Sequence, residues 1–142
     1  MDVREQLVRD EGRRHTAYPD PLTGGAPWTI GVGHTGPEVH QDLIWNDAQI
    51  DAAFEVDLAE AELLCRMNFP WFGLLNEPRQ AVLINMAFQM GQGLLGFHDT
   101  LANVRDEHWA NAAEHMRQSK WASQTHARAM RLATQMETGA WA

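Results

Sequence analysis

Apolar residues recur at helical spacing in three stretches of the chain. Near the N-terminus, Val3, Leu7 and Val8 form a narrow apolar stripe that predicts a helix over 3–11. A second stripe predicts one long amphipathic helix over 46–67, and its members are Ile50, Phe54, Leu58, Ala61 and Cys65. The chain from 81 to 88 is almost entirely apolar, which predicts a helix buried at the centre of a helical lobe.

The segment between the first two predicted helices follows a different pattern. From Tyr18 to Gly36 it is rich in Pro and Gly with β-forming residues between them, which predicts a small antiparallel sheet. Further helices are predicted near 99–105, 107–117 and 125–138, with Gly139 closing the last. Because strands and helices do not alternate, the pattern indicates an α+β fold rather than a parallel sheet with crossover helices.

These elements predict the organisation of the chain. A length of 142 residues suits a single domain, which we assign to 1–142. We expect a small N-terminal sheet lobe over 13–45, a connecting helix over 46–67 and a larger helical lobe over 68–142. The first helix, 3–11, is expected to pack with the C-terminal lobe.

The net charge of −8 is unevenly placed along the chain. Most of it lies between residues 38 and 77, and the flanking segments are close to neutral. This acidity argues against nucleic-acid binding, which needs basic patches to meet phosphates. We interpret it as the solvated face of the long helix.

Composition also bears on where the chain is made. No apolar run approaches the ~20 residues of a membrane span, and the first residues lack the apolar stretch of a signal peptide. Cys65 is the sole cysteine, so an intrachain disulfide is excluded. We therefore expect synthesis in a cytoplasm, no membrane insertion, and a separate export route for any work outside the membrane. We also expect a monomer.

Two carboxylates flank the start of the predicted sheet. Glu11 lies in the last turn of the first helix, and Asp20 lies between Pro19 and Pro21. Glycoside hydrolysis needs such a pair, since one group protonates the leaving oxygen and the other activates a water or attacks the sugar. A solvated charge and an ordinary turn residue are the alternatives. The helix dipole disfavours a carboxylate at a helix C-terminus, which points to a function for Glu11.

Short blocks spread along the chain form a recognisable set. They are Asp10-Glu11-Gly12, Tyr18, Asp20, Thr29-Ile30-Gly31-Val32-Gly33-His34, the run 83–91, Trp121, Gln124-Thr125, Ala127-Arg128-Ala129 and Thr138-Gly139-Ala140-Trp141. Together they resemble the phage-type lysozymes of glycoside hydrolase family 24, particularly the T-even phage endolysins. The resemblance spans the whole chain and implies a lysozyme-like fold with no cofactor and no metal. It implies inverting hydrolysis of the β-1,4 bond between N-acetylmuramic acid and N-acetylglucosamine in bacterial peptidoglycan, for host cell lysis.

The resemblance also implies roles for individual residues. Glu11 would be the general acid, Asp20 would hold or activate the water, and Thr29 would line the cleft beneath the scissile bond. Thr29 is also an ordinary strand former. Gln89 would contact saccharide, and Met90 is placed either at the substrate or in the core.

Three further residues are assigned supporting roles by the same resemblance. Arg128 would hold the carboxyl of Glu11 or of its neighbour, and His34 would pair with Asp57 as a structural ion pair. A metal role for His34 is disfavoured, because the seven His residues show no ligand spacing such as HExxH.

The chain departs from the T-even pattern in three ways. The segment between Asp20 and Thr29 is longer, the segment after His34 is shorter, and the relatives are basic where this chain is acidic. The longer segment contains Trp28, for which a sugar-stacking platform and packing within the lobe are equally open.

Three other functions compete with a host-lysing muramidase. A lytic transglycosylase needs the acid but no water-activating carboxylate, so Asp20 argues against it. A non-catalytic wall-binding or virion structural module would not need Glu11, Asp20 and a threonine together. A chitinase is the third alternative. For the leading function, we expect the protein in the host cytoplasm until release and then in the cell-wall compartment.

Overall fold

The computed structural model describes every residue from Met1 to Ala142 and contains seven α-helices and one three-stranded antiparallel sheet. The predicted α+β class with a small antiparallel sheet is confirmed. The chain divides into two compact units, which are Arg4–Glu60 and a second unit of Met1–Val3 with Ala61–Ala142. No helix combines the length and the apolar character needed to cross a membrane.

The first unit contains the sheet. Helix α1 covers Val3–Glu11, and the sheet follows in the order β1-β2-β3. Its strands are β1 Arg14–Tyr18, β2 Thr29–Gly31 and β3 His34–Thr35. The prediction that the sheet begins at Tyr18 was wrong by four residues. The first three residues of β1 are exposed and polar, so the strand carries no alternating apolar signal.

A small apolar cluster stabilises the sheet. Ala17, Ile30 and Val39 are buried in it, and partly buried Trp28 and Trp45 pack against them. Trp28 therefore packs within its lobe, as one of the two open interpretations, packing rather than sugar stacking, expected.

Helix α2 covers Asp47–Asn68, against the predicted 46–67. Its start is a reciprocal cap, in which the Asn46 and Gln49 side chains each accept the other's backbone N–H at 2.9 Å. All five residues of the predicted apolar stripe are buried: Ile50, Phe54, Leu58, Ala61 and Cys65. Periodicity alone thus identified the buried face of this helix.

The second unit is built from helices that follow α2. Helix α3 covers Glu77–Met90, and its residues 81–87 are all buried. Asn76 caps it by accepting the Arg79 N–H at 3.0 Å. Short 3-10 helices, Phe72–Leu74 and Gly91–Gly96, flank it. A helix buried on every side is what the continuous apolar run predicted.

Four shorter helices complete this unit. They are α4 His98–Arg105, α5 Trp109–Arg117, α6 Lys120–Gln124 and α7 His126–Thr138. Helix α5 begins two residues later than predicted, because Glu107 has a φ of 61° that a helix cannot contain. Helix α6 was not predicted, since five residues are too few for a periodic pattern. Gly139, at φ 73°, ends α7 as predicted.

Candidate active site

Two glycines determine where Glu11 lies. Glu11 is the last residue of α1, and Gly12 at φ 77° turns the chain from the helix toward β1. The half-buried Glu11 side chain lies against Gly33, in the tight turn between β2 and β3. A Cβ on Gly33 would lie 2.5 Å from Oε2 of Glu11, and the φ of Gly33 is 63°. The carboxyl group therefore rests on bare backbone that only glycine provides.

Asp20 is held by the loop that follows β1. Its backbone N–H donates to the carbonyl of Gly25 at 2.9 Å, and its carbonyl accepts the Gly24 N–H at 2.8 Å. Its side-chain Oδ1 accepts the Leu22 N–H at 2.7 Å, the geometry of an Asx turn. The loop thus closes on itself and binds one carboxylate oxygen, Oδ1. The other oxygen, Oδ2, takes no part in these loop bonds.

Tyr18 pairs with Thr29 across two strands and lies near the charge of Glu11. The two strands are the antiparallel β1 and β2. Burial raises the pKa of Tyr18, and the nearby charge of Glu11 raises it further. The Arg14 guanidinium carbon lies 5.0 Å from the centre of the Tyr18 ring. The raised pKa keeps Tyr18 neutral near the general-acid candidate Glu11.

Tyr18 is the site residue to which sequence reasoning gave no role. It is the single tyrosine of the chain and lies two residues before Asp20, and this position is the signal that could have identified it. The three predicted catalytic residues all lie in the unit Arg4–Glu60. That unit combines a carboxyl group that lies against a glycine turn, a carboxylate held by its own loop, and a threonine paired with a tyrosine across two strands.

His34 has two carboxylate partners. Its Nδ1 lies 2.6 Å from Asp57 Oδ2, the predicted pair, and its Nε2 lies 2.6 Å from Glu38 Oε1. Burial acts to lower the pKa of His34, but the hydrogen bonds to Glu38 and Asp57 outweigh it and the pKa is raised. The imidazole also holds the pKa of Glu38 below its usual value. Both ring nitrogens are engaged, which suits a structural role.

The remaining predicted residues lie in the helical unit. Arg128 is buried and donates from Nε and Nη2 to Asn85 Oδ1, at 3.0 and 2.7 Å. Its predicted contact with Glu11 stays a prediction. Gln89 is half-buried, and its Oε1 accepts the Trp121 indole N–H at 2.8 Å. Met90, next in the chain, is also half-buried, and its substrate role likewise stays a prediction.

Trp121, the partner of Gln89, lines a surface pocket. The indole lies at one wall of a pocket of about 470 Å³, with Phe97, Lys120 and Gln124 among the other lining residues. Phe97 meets the indole edge-on at a centroid distance of 6.0 Å. Gln89 therefore orients an aromatic wall of a surface pocket, in addition to any saccharide contact of its own.

Comparisons with known proteins identify the family of this chain. The family model described as phage lysozyme matches residues 8–135. Probable T4-type lysozymes 1 and 2 of Dictyostelium discoideum are 31% and 36% identical, each over 96% of this chain and 94% of its own length. The pre-baseplate central spike protein Gp5 of Enterobacteria phage T4 is 32% identical over 98% of this chain but only 28% of its own length. The chain therefore belongs to the phage lysozyme family, whose members are glycoside hydrolases acting on peptidoglycan.

Proposed function

We propose that this chain is a muramidase in which Glu11 is the general acid and Asp20 the water-activating base. The bond cleaved is the β-1,4 bond between N-acetylmuramic acid and N-acetylglucosamine. The observation that carries the proposal is the preorganised pair of carboxyl groups in one unit. Glu11 rests on the Gly33 turn, and Asp20 is fixed at Oδ1 by its own loop.

The chemistry needs both carboxyl groups in different protonation states. Protonated Glu11 donates its proton to the bridging oxygen as the bond from that oxygen to the anomeric carbon breaks. Oδ2 of Asp20 accepts a proton from a water that attacks the anomeric carbon on the opposite face. The products are a new reducing end and a free hydroxyl on the leaving sugar, and the proton on Asp20 returns to Glu11 through solvent.

Tyr18 and Thr29 support this arrangement without exchanging protons. The raised pKa of Tyr18 keeps its hydroxyl neutral, so it adds no charge beside Glu11. The pairing of Tyr18 with Thr29 across β1 and β2 fixes the backbone position of Thr29. We infer that Thr29 lines the floor on which the reacting sugar and water are placed.

A turbidity assay on purified cell walls tests the assignment. Glu11→Gln and Asp20→Asn should each lower the lysis rate by at least about a hundredfold, because each removes one partner of the proton transfer. Glu60→Gln, a change at an exposed carboxyl group, is the matched control and should lyse walls at the wild-type rate. Lysis by Glu11→Gln within about tenfold of wild type, equal to ~1.4 kcal/mol, would rule out Glu11 as the acid.

We also propose that the reaction inverts the anomeric centre. A water activated by Asp20 enters opposite the leaving oxygen, so a β-linked substrate should first yield the α anomer. Proton NMR of the first-formed reducing end measures this directly. A β anomer would show that Asp20 attacks the sugar itself.

The biological setting proposed is host cell lysis by a monomer that stays in the host cytoplasm until release and then acts at the wall. A second candidate, a virion-borne lysozyme, is favoured by the similarity to the Gp5 spike protein over 98% of this chain. Mass spectrometry of purified particles of the producing phage separates the two. Light scattering of the purified chain tests the monomer.

A further inference from the structure

The loop beside Asp20 presents an apolar side chain directly to solvent. Leu22 is 94% exposed, more than any other large hydrophobic residue of the chain. A single exposed leucine is ordinary on a protein surface. This one differs because its own backbone N–H is the donor that holds Oδ1 of Asp20. The backbone of Leu22 is therefore held by one hydrogen bond to the carboxylate assigned to water activation, and its exposed side chain starts from that point.

The loop holds Leu22 in place through its own hydrogen bonds. Thr23 donates from its hydroxyl to the carbonyl of Ala26 at 2.7 Å and accepts the Gly25 N–H at 3.2 Å. The Asp20–Gly25 and Gly24–Asp20 backbone bonds close the base of the loop. The Leu22 side chain is almost fully exposed, so packing within the loop does not explain why a leucine stands there.

We propose that Leu22 is a substrate-contacting residue that packs on the apolar substituents of the sugar attacked at Asp20. The proposal rests on the muramidase function. In that reaction the attacked carbon belongs to N-acetylmuramic acid, which carries an acetamido methyl and, on its lactyl ether, a second methyl group. N-acetylglucosamine carries only the first. An isobutyl side chain beside Asp20 has the chemistry to cover such methyl groups, and so to favour the sugar that carries both.

The closing experiment compares Leu22→Ser, Leu22→Met and the control Leu74→Ser, which replaces another highly exposed leucine, 87% exposed, in the helical unit. On soluble peptidoglycan glycan strands, Leu22→Ser should lower kcat/KM about tenfold, whereas Leu22→Met should stay within about twofold. Leu74→Ser should match wild type. The thermal midpoint of Leu22→Ser should equal that of wild type, because the side chain makes no packing contact to lose.

Calorimetric measurement of saccharide affinity shows which of the two methyl groups Leu22 contacts. With Glu11→Gln as the non-hydrolysing background, Leu22→Ser should weaken binding of a tetrasaccharide that contains N-acetylmuramic acid. An unchanged affinity for the N-acetylglucosamine tetramer assigns the contact to the lactyl group, and an equal loss for both assigns it to the acetamido group.

Three results would overturn the proposal. They are wild-type kcat/KM and affinity for Leu22→Ser, an equal loss for Leu22→Met, and a lowered thermal midpoint that accounts for the lost activity. Inactivity of the wild-type chain on walls would instead contradict the muramidase function. In that case the saccharide titration still decides whether Leu22 contacts sugar.

Discussion

The two units of the molecule are stabilised in different ways. In Arg4–Glu60 the sheet is supported by the small cluster around Ile30, by glycine turns and by side-chain hydrogen bonds across the sequence. Of the largest apolar side chains that are completely buried, Arg4–Glu60 contains three, Leu7, Ile30 and Ile50, and the helical unit contains seven. The seven are Phe72, Leu83, Met86, Leu94, Met116, Leu132 and Met136.

This difference places the candidate catalytic residues in one unit and most of the fully buried apolar core in the other. Glu11, Asp20, Tyr18 and Thr29 all lie in the unit of turns and hydrogen bonds, where geometry depends on a few specific contacts. The helical unit depends on apolar packing, which is stronger in sum and less directional. We therefore expect substitutions in the helical core to lower stability and substitutions in the sheet turns to lower activity.

The largest effect is expected from Met86→Ala in the helical core. Met86 is fully buried, so the change should lower the free energy of unfolding by about 2–5 kcal/mol through lost burial and a cavity. Wall-lysis activity per folded molecule should stay near wild type at low temperature. Urea denaturation measures the first quantity and turbidity the second. Met67→Ala, at a methionine that is 75% exposed, is the control and should cost little. A large loss of activity in folded Met86→Ala would contradict the expectation that the helical core affects stability and not catalysis.

The converse test is Gly33→Ala in the turn beneath Glu11. The added methyl group must displace the Glu11 carboxyl, because the Cβ would lie 2.5 Å from Oε2. Lysis should fall about a hundredfold, since a displacement of about 1 Å is enough for such a loss. The positive φ should also lower stability by about 1–3 kcal/mol. Gly73→Ala is the matched control, because a Cβ at Gly73 meets nothing within 4 Å. Equal activity of the two variants would show that Glu11 does not depend on the turn.

A smaller effect is expected from Asp57→Asn, which tests the ion pair in the sheet unit. The pKa of His34 is raised in the folded state, so the pair adds stability below the unfolded pKa of about 6.5. That stability is lost as pH rises through the folded pKa. The variant should lose about 1 kcal/mol at about pH 5 and much less at about pH 9. Urea unfolding at both pH values measures it. Glu38→Gln should follow the same pH dependence, and equal losses at both pH values would contradict a charged pair.

The smallest effect concerns salt. Several acids of the segment 38–77 are paired in the structure, since Arg13 meets Asp47 and Asp51, and Arg4 meets Glu55. The remaining negative charge should repel an anionic wall weakly. Lysis should therefore quicken by no more than about twofold between about 10 and 150 mM salt. Initial rates on walls checked for swelling measure this. A steep fall in the lysis rate would indicate that a local basic patch dominates binding to the wall. Arg128 could not belong to such a patch, because it is buried.

What the sequence determined by itself was the set of long elements and the candidate chemistry. The apolar stripe of α2 and the apolar run of α3 each predicted which residues of a helix are buried. Periodicity can predict this because it depends only on residues close in sequence. The Asn46–Gln49 cap is equally local, because both partners lie within one helical turn. The carboxyl pair Glu11 and Asp20 became a candidate through the matching blocks around it, because a Glu and an Asp at this spacing are weak evidence alone.

Only the tertiary structure decided how those groups are held. Three features join residues without a common periodic pattern: Glu38 as a second partner of His34, the charge of Glu11 near Tyr18, and the contact of Glu11 with Gly33. The start of β1 was hidden for a related reason, because its first residues are exposed and bury no alternating face. Backbone turns bring such residues within hydrogen-bonding distance, and the path of a turn depends on the strands and helices that it joins.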